Sequence, residues 1–386
     1  MKNTGVQSIG IKTPIIREGD DLKKIVVDAV LDAVTLYTDG IPEPFDNTFI
    51  DLHDKDVIGI TESVVARSQG NYVTIDDIVE YLKSMNITKN LMLYSPIMSR
   101  NRFSMILKAF ARFADKITIV YDGEFDEQGN PNEGINPFTG VNIRDYYKEL
   151  CEKENCQFLM FNLKDCVLDD GIFLDNGKWH GIGFDQTFID CRCHPEETDA
   201  YTLADIMSQP IMHNGILSTS GYNSEYGLLG CNKATEEKIK LFPEPTKAQQ
   251  LVEDIQKEIF NRTGKHVIVC IYGDGCFHSP MIDNKPGTSI NEFADPVPMP
   301  AYTDKELIEG CPNEGKLKYY ADLYPEKNID ELNELIKKEK GKCSIGKMIS
   351  EGCTPRRRDA LLASLMDLTS GSGDRATPVV LIKNYF

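Results

Sequence analysis

Long apolar runs are missing from this chain of 386 residues. No stretch approaches the roughly 20 residues of a membrane helix, and the first residues lack the apolar core of a secretion signal. A soluble cytoplasmic protein is expected. Positive charge is also scarce: 42 Lys and Arg face 60 Asp and Glu, for a net charge of -18. That balance excludes a nucleic-acid backbone as partner, while leaving room for a local basic site that holds a small anion. The 6 histidines form no metalloprotease motif, and no Ser-His-Asp or Cys-His arrangement is recognisable. Cys191, Cys193 and His194 lack the second ligand pair that structural zinc sites use. Internal repeats and low-complexity tracts are absent too.

What is present is ordinary for a globular protein, with 41% hydrophobic and 26% charged residues. The length exceeds that of one compact domain, so two domains or one large core with an insertion are expected. The 11 cysteines are odd in number and scattered, with Cys151 in a helical pattern and Cys270 in a strand pattern. Reduced thiols fit that distribution better than a disulfide framework.

Apolar residues at helical spacing follow Gly19-Asp20-Asp21, and "DVIGIT" (56–61), "LMLYSP" and "KITIVYD" read as strands. Between them "TIDDIVEYLKSM" reads as a helix capped by Thr74 with Asp77 three residues on, and "NRFSMILKAFARFA" as another. The alternation predicts an α/β architecture. From Gly123 to Gly140 the chain is acidic, aperiodic and rich in Gly, Pro and Asn, a long loop of the kind that is functional or mobile. "TKAQQLVEDIQKEIFNRTG" predicts a helix with a Thr246–Gln249 capping box and a stop at Gly264.

Four places carry candidate chemistry. The strand "HVIVCIY" ends in Gly273-Asp274-Gly275, where bare backbone admits a bulky anion and the carboxylate suits a hard cation; a plain turn is the alternative. "STSGYNSEYG" (218–227) is rich in oxygen donors, or is simply a polar loop. "SGSGDR" (370–375), leading into the strand Val379–Ile382, could cradle phosphate on its amides, although no Walker sequence follows. Finally, Arg100 with Arg102, and Arg356 to Arg358, stand at two helix starts where anions are favoured, or where arginine is merely tolerated.

Five stretches stand in order along the chain: "IGIKTPIIREGDDL", "DVIGITESVVARSQGN", "NGILSTSGYNSEYG", "KLFPEPTKAQQLVEDIQKEIFNRTGKHVIVCIYGDG" and the terminal "TPVVLIKNYF". Together they resemble the coenzyme F420-0:L-glutamate ligase (γ-glutamyl ligase) family. The resemblance implies the family's α/β (α+β) fold, with mixed sheets and packed helices. A ligase-like core would span 1–114 and 206–386, with an inserted α/β segment at 115–205. It also implies amide-bond formation between a small carboxylate acceptor and an amino acid, L-glutamate, through an acyl-phosphate made from GTP or ATP with Mg²⁺ or Mn²⁺. Intertwined homodimers are implied as well. Carried over by position, Thr13, Pro14, Ile15, Ile16, Glu62, Ser63, Arg67, Ser372, Gly373 and Arg375 border the nucleotide. Asp274, Asn223 and Asp374 hold the metal, and Asp274 and Arg102 serve catalysis.

The chain departs from the family pattern at several of these positions. Glu62-Ser63 stands where the family has Ser-Lys, Asn223 replaces a metal-binding Asp, Tyr226 replaces the Asn after it, and Gly275 replaces a Thr. Two other readings follow from such losses: a phosphotransferase that stops at phosphoryl transfer, and a silent nucleotide-binding protein of the same fold.

Overall fold

A computed structural model describes residues 5–34, 51–94, 103–121, 123–126, 130–162, 172–175, 178–181, 199–207, 209–214, 216–217, 222–223, 227–228, 232–273, 299, 301–309, 317–338, 358–371 and 376–386. In the first half the elements are β1 (Gln7–Ile11), α1 (Leu22–Ala33), β2 (Val57–Thr61), α2 (Glu62–Ser68), β3 (Tyr72–Thr74), α3 (Ile75–Ser84), β4 (Asn90–Tyr94), α4 (Phe103–Phe113), β5 (Lys116–Tyr121), α5 (Ile143–Lys153) and β6 (Gln157–Asn162). Next come the hairpin β7 (Ile172–Asp175) and β8 (Lys178–Gly181), then β9 (Asp199–Thr202) and α6 (Leu203–Met207). Short strands β10 (Met212–His213), β11 (Ile216–Leu217), β12 (Tyr222–Asn223) and β13 (Gly227–Leu228) lead to β14 (Asn232–Thr235) and β15 (Lys238–Lys240). The rest is α7 (Pro245–Thr263), β16 (Ile268–Tyr272), β17 (Ala301–Tyr302), α8 (Lys305–Ile308), α9 (Leu317–Leu323), α10 (Ile329–Lys338), α11 (Arg358–Gly371) and β18 (Val379–Lys383).

These elements form a mixed α/β fold. A central sheet has the order β1-β18-β2-β16-β17. Its middle strands are continuous β-branched and aliphatic runs because helices cover both faces. On one face Ile58, Ile60, Val269 and Ile271 pack under Val26 and Val30 of α1 and Val252 and Ile255 of α7. On the other, Val57, Cys270, Val380 and Ile382 pack under Leu362, Ala363 and Met366 of α11. Each buried Val or Ile contributes on the order of 1.5–3 kcal/mol.

A second sheet, β6-β5-β4-β9, is wholly parallel. It shares one core with α3 to α6, with Val73 and Ile239 of the small antiparallel sheet β14-β15-β3, and with Leu241 just past β15. The parallel sheet begins at Asn90, so it draws on residues from both sides of position 115. Within 123–142 the described residues fold back on themselves: Asp126 accepts from the Asn130 amide at 2.8 Å, and Asn136 Oδ1 accepts from the amides of Phe138 and Thr139.

The local signals mostly act as expected. Thr74 and Asp77 form a reciprocal capping box on α3, and Asp21 caps α1. Gly264 ends α7 in the left-handed conformation. The start of α7 differs, because Glu244 rather than Thr246 is the cap. Its carboxylate accepts from the amides of Thr246 and Lys247, with Pro245 opening the helix. Arg358 also departs from the anion reading of its helix start: it is buried, donates to Leu307 O at 2.9 Å and stacks near the Phe386 ring.

Candidate active site

The pairing directions decide which chain segments meet. β16 runs parallel to β2 with Tyr272 opposite Thr61, so both strands deliver their carboxyl ends to one sheet edge. β18 runs antiparallel to β2 and starts at that edge, with Val379 opposite Ile60. β1 runs antiparallel to β18 and finishes there, with Ile11 opposite Val379. Four expected site segments therefore leave or enter the sheet along one edge: 12–16, 62–63, the residues after Gly273, and those before Ala376. Hydrogen bonds fasten them. The Thr13 amide donates to Ala376 O at 3.0 Å and the Thr61 amide to Pro378 O at 2.9 Å. Ligands of open α/β sheets bind at such carboxyl ends.

Within this edge, Ile15 is exposed while Ile16 is buried in the core beneath the sheet. Thr13 is half-buried, and its hydroxyl donates to Pro14 O. Glu62, the first residue of α2, is 3% exposed and lies flat against Gly273. A Cβ built on Gly273 would stand 2.3 Å from Glu62 Cδ and 2.4 Å from Cγ, so only glycine lets the two strand ends close together. Arg67 sits on the last turn of the same helix, exposed and close enough to Tyr72 to offset the burial that raises that phenol.

Two features had escaped the sequence reading. The buried Lys240, on β15, donates from Nζ to Ser63 Oγ across the gap between the small sheet and α2. Period-two alternation in Lys238-Ile239-Lys240 marks both lysines as facing away from Ile239, but not which of them is covered. Lys238 instead stacks on the Tyr72 ring at 3.9 Å. The second feature is Tyr272, the residue before Gly273, whose phenol is fully buried. Its pKa is pushed well up, mainly by burial, with Ser370 at the end of α11 pulling it partly back.

The backbone of Asn223 lies in β12, paired with β13 and outside the central sheet. Arg100, Arg102, Asp274, Arg356, Arg357, Ser372, Gly373, Asp374 and Arg375 lie outside the described residues. Among the described residues there is no group of three or more His, Cys, Asp or Glu that could hold a metal ion. None of their helices is long and apolar enough to cross a membrane.

The sequence pattern of the F420-0:gamma-glutamyl ligase family matches residues 10–384. The chain belongs to that family. It is accordingly an enzyme of the amide-bond-forming ligase type, with amino acid and carboxylate substrates. Comparison with curated proteins finds no match.

Proposed function

We propose that this F420-0:gamma-glutamyl ligase family member joins the amine of L-glutamate to a small carboxylate acceptor, using GTP or ATP and a divalent cation. The observation that carries the reading is the convergence of 12–16, Glu62–Ser63, Gly273 and Ala376 on one sheet edge, in a chain matched by the family from end to end.

In the first step an acceptor carboxylate oxygen attacks the γ-phosphorus. The bond to the bridging β–γ oxygen breaks and the nucleoside diphosphate leaves. In the second, the amine attacks the activated carbonyl, the C–O bond to phosphate breaks and orthophosphate departs with its electron pair. The amine proton passes to a carboxylate at the edge, for which Glu62 is the described candidate. Such chemistry rests on positioning and charge neutralisation.

Asp274, Asp374 and Asn223 offer oxygen donors only, the set that suits Mg²⁺ or Mn²⁺. Bound there, the cation would neutralise charge on the phosphate oxygens. Arg102 would hold the anionic acceptor, and the backbone amides of 372–375 would cradle phosphate.

The test is orthophosphate release from GTP and ATP with Mg²⁺ or Mn²⁺, screened over amino acids and carboxylates. Release that requires both partners, with amide product by mass, is expected. Phosphate transferred to the acceptor with no amine requirement would replace the ligase by a phosphotransferase. We also propose a homodimer, which light scattering at micromolar protein checks directly.

A further inference from the structure

We infer that Tyr272 is a positioning residue of this ligase site. When nucleotide fills the sheet edge, its buried phenol donates to Ser370 on the last turn of α11. The inference rests on the nucleotide-dependent reading above. Its ligand class is a nucleoside triphosphate with its divalent cation.

The first observation is an unmade bond. Tyr272 is fully buried, yet its hydroxyl has no hydrogen-bond partner among the described residues. It is the only buried hydroxyl so left among them. Such a group carries its full desolvation penalty, and native structures rarely keep one without a use. The ring itself gives no reason for a tyrosine. It packs in an apolar cluster with Leu362, Ala363 and Met366 of α11, where phenylalanine would fill the same space without the penalty.

The second observation is place. Tyr272 ends β16 and immediately precedes Gly273, on which Glu62 lies, so it belongs to the edge where the site segments meet. The third is the neighbour. Burial holds the phenol pKa well above 10, and Ser370 stands close enough to pull it partly back. The phenol therefore keeps its proton and remains a donor. The Ser370 hydroxyl spends its own hydrogen on Asp367 O, at a long 3.5 Å, so its oxygen can still accept. A small turn of either side chain completes the pair.

The consequence reaches the site. Helix α11 ends one residue later, at Gly371, and Ala376 is fastened at the edge by the Thr13 amide. Fixing Ser370 fixes one end of the chain that leads there. A bond made only in the bound state adds to affinity, because a ligand draws on the difference between two states.

The experiment compares wild type, Tyr272→Phe, Ser370→Ala and the double variant in the full chain. Titrations use GTP·Mg²⁺ and ATP·Mg²⁺, alongside kcat, KM and melting temperature without ligand. Phenylalanine keeps the ring and removes only the hydroxyl. Without ligand, Tyr272→Phe should melt at or above wild type, since a buried donor lacking an acceptor is gone. Its dissociation constant for nucleotide should be about tenfold weaker, the loss of one buried hydrogen bond. Ser370→Ala should lose affinity to a similar degree, and the double variant no more than either alone. The inference falls if Tyr272→Phe binds nucleotide as wild type does, if it melts well below wild type, or if the two losses add. If wild type itself binds neither nucleotide with Mg²⁺, the functional reading fails, and the inference with it.

Discussion

At the amino end of β2, Lys383 lies 3.2 Å from Asp56, with both side chains buried; at the carboxyl end of the same strand, Lys240 reaches a serine hydroxyl. The first pair neutralises itself. Asp56 also accepts from the His53 amide at 2.8 Å, and the neighbouring turns are tied by the Lys55 amide to His266 O and by the His266 amide to Asp54. At the other edge the chain presents bare glycine backbone, the buried Glu62 carboxylate and the Lys240 ammonium, which donates to Ser63. One edge uses buried charge to close the fold, and the other gathers it where the candidate site segments meet.

The largest expected effect breaks the closed edge. Asp56→Ala leaves the Lys383 ammonium buried without its carboxylate and should cost about 3–5 kcal/mol in denaturant unfolding. KM per folded molecule should stay as it is; a shifted KM would mean that the two edges are not separate in role. Next in size, Asp274→Asn at the ligand edge should lower turnover about a hundredfold, near 3 kcal/mol, with little change in melting temperature. Full activity with a lower melting temperature would make Gly273-Asp274-Gly275 a structural turn.

Two glycines sharpen the contrast further. Gly273→Ala drives a methyl into Glu62 and should destabilise by about 1–3 kcal/mol while also weakening nucleotide affinity. Gly59→Ala, in mid-strand, would meet Met366 Sδ at 2.2 Å and should cost stability alone. Equal effects of both on affinity would remove Glu62 from the site.

The smallest effect concerns the clamp that positions β15. Arg112 beside Glu237 holds that carboxyl down to about 2 from an ordinary 4.5. Its stabilising contribution is therefore complete above pH 4.5 and fades as pH falls toward 2. Glu237 is half exposed, so the loss is modest. Thermal melts of Glu237→Gln should show a shallower decline across that window than wild type.

Much of this was legible in the residues, for identifiable reasons. Thr74 and Asp77 specify a cap through contacts only three residues apart, and Gly264 tolerates a backbone angle that other residues resist. Strand ends were visible as apolar runs breaking into polar segments. Which ends share an edge was not, because that depends on β16 lying parallel and β18 antiparallel to β2, a property of pairing between residues two hundred or more positions apart. Lys240 was hidden for a similar reason: α2 lies against β15 only in three dimensions. Glu244 was passed over because glutamate is an uncommon cap, and Arg358 because its partner, a carbonyl on α8, has no sequence signature.

The place of β18 sets an order of assembly. It is the last of the five central strands in the chain, yet it lies between β1 and β2, with Gln7 opposite Lys383 and Ile382 opposite Val57. While the chain is being synthesised, the parallel sheet and its helices can gather from residues already made, but β1 has no neighbour in the central sheet until residue 383 emerges. Contacts at such separation form late and slowly. The central sheet is thus completed only once the last strand has left the ribosome, and a chain terminated before it carries the second core without a completed first one.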